Sequence, residues 1–453
     1  MPLLSVHKLS FAYITGLHLF EDVSFSLGSG DRAALVGANG SGKTTLLRLL
    51  AGRLEPSSGE IIRSRGLRVV LIERDEDPLQ SSGERTRAAL AQAMRTPADL
   101  YLFDEPTNHL DAEARDWLAR WLLKRSCAFL LVSHDRDFLN RVANRTLSIE
   151  RGGIRTYSGN YDSFLAQQHS RVESHQKNYE AQQRRFSSFA QAAQRRNRLA
   201  RQVSQAPEGF KHGNDFYARK AAKVARTARL LKERVELERK IEKPWEESGV
   251  PPLDFSHVPF CPAVVLHAGP VTTGYSMPVI RDLEVVLHRA ERWAITGGNG
   301  CGKTTLLRLL IGQVEAWSGA VRWSAGARVG YYAQEHEQLD LKQTPVETCR
   351  QSDPTSARTM LGCLKLRREL MDRPLGLLSP GERSKSAIAR LLLGGYNTLL
   401  LDEPTNHLEI EAREALADAL NQFPGAMLVV SHDRWFLSRF ATHWLELRRT
   451  DQV

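Results

Sequence analysis

Residues Gly37–Leu50 read GANGSGKTTLLRLL, and the pattern returns 260 residues later as GGNGCGKTTLLRLL at Gly297–Leu310. Each run follows a short apolar segment (AALV at 33–36, AIT at 294–296) and opens into good helix formers. The order strand, glycine-rich loop, helix is the structural context that a phosphate-binding P-loop requires. Two copies in the same context predict an α/β chain built from two P-loop NTPase cassettes.

Two further motif pairs show that the copies differ in length. DEPTNHL at Asp104–Leu110 recurs at Asp402–Leu408, and SHDR at 133–136 recurs at 431–434, both at an offset of 298. The offset therefore grows by 38 between Arg68 and Ser81, so the first copy lacks 38 residues of the second. These extra residues, about 335–375, have a composition that predicts helices. We expect cassettes at 1–157 and 259–453, the first with a truncated helical insert, and a linker at 158–258.

Composition excludes several classes of protein. Of 453 residues, 42% are hydrophobic, and no stretch approaches the roughly 20 apolar residues of a membrane helix. The first residues, MPLLSVHKLSFAY, lack the pattern of a signal peptide. The five cysteines form no CxxC pair, which favours reduced thiols over a zinc site or a disulfide framework. We therefore expect a cytoplasmic protein without a membrane domain.

The glycine-rich loops predict two ATP sites with Mg²⁺. The pattern GxxxxGK[ST] turns successive backbone N–H groups toward the phosphates. Lys43 and Lys303 would neutralise the β- and γ-phosphates, and Thr44 and Thr304 would bind Mg²⁺. The predicted ATP-binding residues of the loops are Gly37, Asn39, Gly40, Ser41, Gly42, Lys43, Thr44 and Thr45, with Gly297, Asn299, Gly300, Cys301, Gly302, Lys303, Thr304 and Thr305.

Acidic pairs end two apolar runs, DLYLFDE at 99–105 and NTLLLDE at 397–403. Asp104 and Asp402 fit the acid on the metal side of such a site. Glu105 and Glu403, one residue on, fit a general base for the attacking water. The catalytic set is completed by two histidines placed 30 residues after the aspartates, for which we predict a γ-phosphate sensor: His134 and His432.

The segment between the copies is basic and helical. Residues 161–245 hold 19 Lys and Arg against 9 Asp and Glu, so the net charge of +10 of the whole chain lies there. Apolar residues recur at heptad-like spacing before and after APEGFKHGN (206–214), which predicts an antiparallel α-helical hairpin. A charge run is often only a solvated face, but one-signed charge favours a polyanion. The residues predicted to bind this polyanion are Arg195, Arg196, Arg198, Arg201, Lys211, Arg219, Lys220, Lys223 and Arg226.

These motifs resemble the ATP-binding cassette (ABC) superfamily at both ends of the chain. Its signature appears as QSSGE (80–84) and LSPGE (378–382), and the resemblance implies that each ATP lies between one P-loop and the opposite signature. The signature residues expected at the γ-phosphate are Ser81 and Gly83, with Ser379 and Gly381. Two tyrosines before the P-loops resemble the aromatics that stack on adenine, with core packing as the alternative: Tyr13 and Tyr275.

The narrower resemblance is to the ABC-F subfamily. PTNHL follows the glutamate in both copies, YSGNYDSFL (157–165) leads into the linker, and a charged hairpin joins two cassettes. The resemblance implies an ATPase that works as a monomer, its two cassettes pairing within one chain. It also implies binding to ribosomal RNA and the peptidyl-site tRNA, in order to modulate translation or to protect the ribosome from antibiotics.

The first copy departs from the family pattern. Gln334 fits the glutamine that contacts Mg²⁺, whereas Arg74 occupies that position in the first copy. The first signature reads QSSGE, so we expect both sites to bind ATP and the first P-loop site to be the slower. An ATP-dependent DNA-binding protein is the alternative, since it would use the same basic hairpin. A transporter subunit would leave that hairpin without a function.

Overall fold

The computed structural model describes residues 2–13, 18–73, 90–92, 94–108, 110–150, 152–204, 214–237, 253–333, 339–349 and 352–448. The chain divides into two compact units, one of Met1–Ser163 with Ser248–Val453 and the other of Phe164–Glu247. The first unit contains both repeats, and the second contains most of the linker.

The first repeat is an α/β domain. Apolar alternation forms its outer strands, and continuous apolar runs such as AFLLV form its buried central strands. Its elements are β1 (Pro2–Ala12), β2 (His18–Gly28), β3 (Arg32–Val36), α1 (Lys43–Leu50), β4 (Ser58–Arg63), β5 (Val69–Ile72), β6 (Leu100–Asp104), α2 (Ala112–Lys124), β7 (Ala128–Val132), α3 (Arg136–Val142), β8 (Arg145–Glu150) and β9 (Gly153–Ser158).

A six-stranded sheet of order β5-β6-β7-β3-β8-β9 organises this repeat. Its first five strands are parallel, with Leu35 beside Val132 and Phe103 beside Leu131. The loops that follow β3, β6 and β7 therefore leave the same edge of the sheet. That edge gathers the P-loop, the acidic pair and the SHDR segment, in the place where open α/β sheets bind their ligands.

The linker forms two helices, α4 (Tyr161–Ser204) and α5 (Asn214–Leu237), as the sequence predicted. At 44 residues, α4 is about 66 Å long at the usual rise per residue. Both helices carry many charged residues, and their apolar positions are spaced for packing along one seam. No helix in the described ranges is long and apolar enough to cross a membrane.

The second repeat has the same plan with additional helices. Its elements are β10 (Val264–Gly274), β11 (Pro278–His288), β12 (Arg292–Thr296), α6 (Lys303–Leu310), β13 (Val321–Trp323), β14 (Val329–Tyr332), α7 (Pro345–Thr348), α8 (Pro354–Cys363), 3₁₀ turns at Arg368–Leu370 and Leu375–Leu377, α9 (Pro380–Leu392), β15 (Thr398–Asp402), α10 (Ile410–Gln422), β16 (Ala426–Val430), α11 (Arg434–Ser438) and β17 (His443–Glu446). The parallel sheet has the order β14-β15-β16-β12-β17. The residues present only in this copy form α7, α8 and the two turns, which agrees with their helical composition.

Each repeat has its own hydrophobic core, which fixes the P-loop helix on the sheet. In the first repeat, Leu47 of α1 packs with Leu35 and Leu130 of the sheet, all fully buried. In the second, Leu307 of α6 packs in the same way with Leu400 and Leu428. A further cluster around Met360 and Leu416 joins the extra helices to α10. Burying a leucine side chain contributes roughly 1.5–3 kcal/mol, so these contacts hold the loops above them in place.

Candidate active sites

The two P-loops have nearly the same conformation. Lys43 donates from Nζ to the carbonyl of Gly37 at 2.7 Å and to that of Ala38 at 3.2 Å. Lys303 donates to the carbonyls of Gly297 at 3.0 Å and Gly298 at 2.9 Å. Each ammonium thus lies inside the curl of its loop, where it would meet the phosphates of a nucleotide. Burial lowers the pKa of Lys43, while the acids around it favour its charged form.

Glycine is required where each loop enters its helix. Gly42 has φ +95°, and a Cβ there would lie 2.6 Å from the side chains of Leu19 and Phe20. Gly302 has φ +98°, and its Cβ would meet Val279 at 2.8 Å. Both the left-handed backbone and the lack of space exclude other residues. Gly40 and Gly300 also have positive φ but have open space around them, as a cradle for phosphate requires.

The acidic pairs lie at the ends of β6 and β15, beside the P-loop helices. Thr44 donates from Oγ1 to Oδ2 of Asp104 at 2.7 Å. Both carboxylate oxygens of Asp402 are buried, and the Thr304 side chain interacts with this carboxylate. Burial raises the pKa of both aspartates. Each site thus brings together a buried carboxylate and a threonine hydroxyl, and such oxygen ligands suit Mg²⁺, so the residues fit this ion.

Each predicted base is paired with its predicted sensor histidine. Nε2 of His134 lies 3.2 Å from Oε1 of Glu105, and the His134 amide donates to Oε2 at 3.2 Å. In the second repeat the corresponding separations between His432 and Glu403 are 3.6 and 3.3 Å. Both glutamates have φ +49°, a strained conformation for this residue type.

The electrostatics of these pairs follow from burial. Burial raises the pKa of Glu105 and of Glu403 to about 7. Burial, and after it the charge of nearby cations, lowers the pKa of His432 to about 3 and that of His134 well below its usual value. The histidines are therefore neutral near pH 7. A carboxyl group poised near neutral pH is suited to accept a proton from water.

The second cassette contacts the first P-loop, and the first contacts the second. The backbone N–H of Asn39 donates to Oε1 of Glu409 at 3.1 Å. The Asn299 amide donates to Oδ2 of Asp111 at 3.4 Å. In the second signature, a Cβ on Gly381 would lie 3.5 Å from Nδ2 of Asn39. The two cassettes therefore face each other across their P-loops.

The second signature starts the helix α9. Ser379 accepts at Oγ from the Glu382 amide at 3.4 Å, and Glu382 accepts from the Ser379 amide at 2.8 Å. This reciprocal capping box fixes the start of the helix beside the first P-loop. Gly381 is buried there, and a Cβ would lie 2.5 Å from the His407 carbonyl oxygen.

Sequence reasoning missed the arginines that cross between the cassettes. Arg413 donates to the carbonyl of His134 at 3.0 Å, and Arg115 donates to that of His432. Arg136 pairs with Glu414 at 2.6 Å. One signal was available for the first two, since each follows its PTNHL motif at the same distance in both copies.

The tyrosines proposed to stack on adenine are not core residues. Tyr13 is 49% exposed and Tyr275 is 59% exposed, which excludes the alternative of core packing. The Tyr13 hydroxyl lies 2.9 Å from Oγ1 of Thr45, and Tyr275 interacts with Arg308 on α6. Both rings thus stand beside a P-loop helix, and adenine stacking stays a prediction.

The basic residues predicted to bind RNA are exposed wherever they are described. On α4 these are Arg195, Arg196, Arg198 and Arg201, and on α5 they are Arg219, Lys220, Lys223 and Arg226. Five predicted positions lie outside the described residues: Arg74, Ser81, Gly83, Lys211 and Gln334.

Known proteins resemble this chain in sequence and in fold. A family model described as ABC transporter matches residues 20–80 and 280–406, and another with that description matches 147–206. The RNase-L Inhibitor structure has a TM-score of 0.62 at 20% identity, covering 98% of this chain and 87% of its own. That likeness concerns the fold.

Proteins related in sequence have higher identity to this chain than that structure has. Ribosome protection protein VmlR of Bacillus subtilis (strain 168) is 32% identical, over 93% of this chain and 82% of its own length. The putative ATP-binding protein YdiF of the same organism is 30% identical, over 99% and 80%. ABC transporter F family member 2 of Arabidopsis thaliana is 26% identical, over 96% and 75%. With two ABC cassettes and relatives of this identity along nearly its whole length, the chain belongs to the ABC-F family.

Proposed function

We propose that this chain hydrolyses ATP in two sites between its cassettes, and that ATP holds the cassettes together while the protein acts on the ribosome. The carrying observation is the pair of contacts between the Asn39 amide and Glu409 and between the Asn299 amide and Asp111. Because each P-loop meets the opposite cassette, an ATP bound in either loop lies at the interface. Its binding energy would then favour closure.

The residues divide the hydrolysis of ATP among them. Lys43 and Lys303 would hold the β- and γ-phosphates, and the Ser379 and Gly381 signature would approach the first site from the other side. Glu105 or Glu403 would accept the proton of the water that attacks the γ-phosphorus, as the bond to the β,γ-bridging oxygen breaks. The paired neutral histidine would hold that glutamate and contact the γ-phosphate.

Mg²⁺ is the cofactor that the oxygen ligands fit. Thr44 with Asp104 and Thr304 with Asp402 would hold the ion, and we propose Gln334 as a further ligand in the second site. The ion neutralises charge on the phosphates when bound. All other steps belong to the side chains described above.

The ribosome is the proposed partner for two reasons. A relative that covers most of this chain is named a ribosome protection protein. The linker carries the excess positive charge of the chain, and its described arginines and lysines are exposed. Exposed cations of one sign suit the phosphates of ribosomal RNA and tRNA. This partner places the proposed action, on translation or on antibiotic sensitivity, in the cytoplasm.

ATP turnover with and without purified ribosomes tests this proposal. We expect hydrolysis by the wild type, a change in its rate when ribosomes are added, and loss of that change when Arg195, Arg196 and Arg198 become Gln. A matched control replaces three exposed cassette residues, Arg65, Arg120 and Arg322. A rate of ATP hydrolysis that does not change with ribosomes but changes with duplex DNA would contradict the proposal that the ribosome is the partner.

A further inference from the structure

The start of each helix after PTNHL carries two charged residues one turn apart. In the second cassette these are Glu409 and Arg413, and in the first they are Asp111 and Arg115. Residues four apart lie on the same face of a helix, so each pair faces the opposite cassette together. In each pair, the acid accepts a hydrogen bond from a backbone N–H of the opposite P-loop. The arginine donates to the Ser-His-Asp (SHD) segment of that same opposite cassette, residues 133–135 or 431–433.

Each arginine joins the SHD segments of both cassettes. Arg413 donates from Nη1 to Asp433 of its own cassette at 3.2 Å and to the His134 carbonyl of the other at 3.0 Å. Arg115 donates to Asp135 of its own cassette at 2.7 Å and to the His432 carbonyl of the other. The arrangement is reciprocal, and both arginine side chains are nearly buried.

The aspartates that bind these arginines are themselves held in place. Asp135 caps α3 by accepting from the Phe138 amide at 2.9 Å, and Asp433 caps α11 by accepting from the Phe436 amide at 2.9 Å. A buried guanidinium bonded to a capped aspartate has little freedom to move. Its hydrogen bond across the interface therefore defines where the opposite histidine backbone lies.

The bonded histidine is also the one that holds the catalytic glutamate. The His134 carbonyl accepts from Arg413, while its amide donates to Glu105 and its Nε2 lies 3.2 Å from the same carboxylate. His432 has the same three relationships with Arg115 and Glu403. Each histidine is thus held on one side by its own cassette and on the other by the partner cassette.

We propose that Arg115 and Arg413 are positioning residues that act across the interface. Arg413 places the His134–Glu105 pair of the first site, and Arg115 places the His432–Glu403 pair of the second. Separation of the cassettes would break both bonds, so each pair is held in place only while the cassettes are closed. The inference rests on the proposed function in assuming that these sites hydrolyse ATP.

Single-turnover hydrolysis in single-site backgrounds tests the crossed assignment. E403Q leaves the first site as the source of turnover, and E105Q leaves the second. In the E403Q background R413M is expected to slow the chemical step by about 10- to 100-fold, because misplacement of about 1 Å has that effect. R115M should slow it far less there, and the order of the two variants should reverse in the E105Q background.

Further measurements separate positioning from folding. ATP affinity should change less than about threefold, since a group that acts in the chemical step alters the rate rather than binding. R413K and R115K keep the charge beside their aspartates and should recover part of the rate even if a methionine variant folds poorly. R120M, an exposed arginine of α2, should leave both rates unchanged.

The outcomes are distinct. Equal slowing of both sites by either arginine variant, or weaker ATP binding with unchanged rates, would overturn the positioning role and leave the proposed function intact. If neither single-site background hydrolyses ATP in a quenched single turnover, the proposed hydrolysis is wrong and the inference falls with it.

Discussion

The amide of Asn39, at the tip of the first P-loop, donates a 3.1 Å hydrogen bond to Glu409, which lies 370 residues away in the second cassette. Its counterpart joins Asn299 to Asp111 at 3.4 Å. These two bonds define a face-to-face pairing within one chain. In the proposed function, they also mean that neither ATP site would be complete in one cassette alone.

Asp111 and Glu409 occupy equivalent positions but differ in their local role. Asp111 also caps α2 by accepting from the Ala114 amide at 2.9 Å, whereas Glu409 makes no such capping bond to α10. D111A should therefore lower the free energy of unfolding by about 1 kcal/mol more than D111N, which keeps a side-chain oxygen at the N-cap. Urea unfolding of the two variants measures this, and equal losses would contradict the assignment.

Replacing Gly42 with alanine should abolish ATP binding at the first site. The substitution meets both a left-handed backbone and side chains 2.6 Å from the new Cβ. G40A is the matched control, because Gly40 also has positive φ but has nothing within 4 Å. That variant should bear only backbone strain, on the order of 1 kcal/mol. Binding of a fluorescent ATP analogue, measured in the K303A background, distinguishes the two; similar affinities would contradict this account.

Arg136 should stabilise the closed chain more than its counterpart Arg434. It bonds Glu414 at 2.6 Å and Asp162 at 2.8 Å, and its guanidinium lies 4.9 Å from the Trp435 ring centre. Arg434 is exposed. R136M should cost about 1–2 kcal/mol of unfolding free energy, while R434M should stay within about 0.5 kcal/mol of the wild type. A double-mutant cycle with E414Q should show coupling, and strict additivity would exclude the interaction.

The buried glutamates predict a pH-dependent gain in stability for E105Q/E403Q. Their pKa is about 7 in the folded protein against a usual 4.5, so folding favours the protonated form. The nucleotide-free wild type should therefore lose stability as the pH rises from about 4.5 to 7, and the double variant should not. Above pH 7 the difference should reach on the order of 3 kcal/mol per site.

The free energies of unfolding of the wild type and of E105Q/E403Q, measured at pH 5 and pH 8, test this prediction. E113Q, which removes an exposed acid from α2, serves as the control and should show no such dependence. An advantage of E105Q/E403Q that is the same at both pH values would mean that it does not come from charge burial.

Much of the fold could be predicted from local sequence patterns. The P-loops, acidic pairs and SHDR segments were predictable because close approach to phosphate and metal restricts the residue types, and because the repeat supplies a second copy. The helices after Gln343 followed from composition, and their caps at Thr344 and Asp353 confirm where they start.

The contacts between the cassettes were harder to predict from the sequence. Arg115 and Arg413 resemble ordinary helix arginines in the sequence, and nothing local indicates that they donate to a carbonyl roughly 300 residues away. Their role depends on how two domains meet, which is a tertiary relationship. The exposure of Tyr13 was likewise undecided, since a tyrosine at the end of a strand suits either a core or a ligand.

Co-sedimentation of the E105Q/E403Q variant with ribosomes tests the central claim most directly. Removing both bases should leave ATP binding intact while slowing hydrolysis by about 10²–10⁴-fold, so the closed form persists. The account predicts that the variant pellets with ribosomes when ATP is present, stays in the supernatant without it, and is released as salt rises. A variant that binds ATP but never pellets with ribosomes would contradict it.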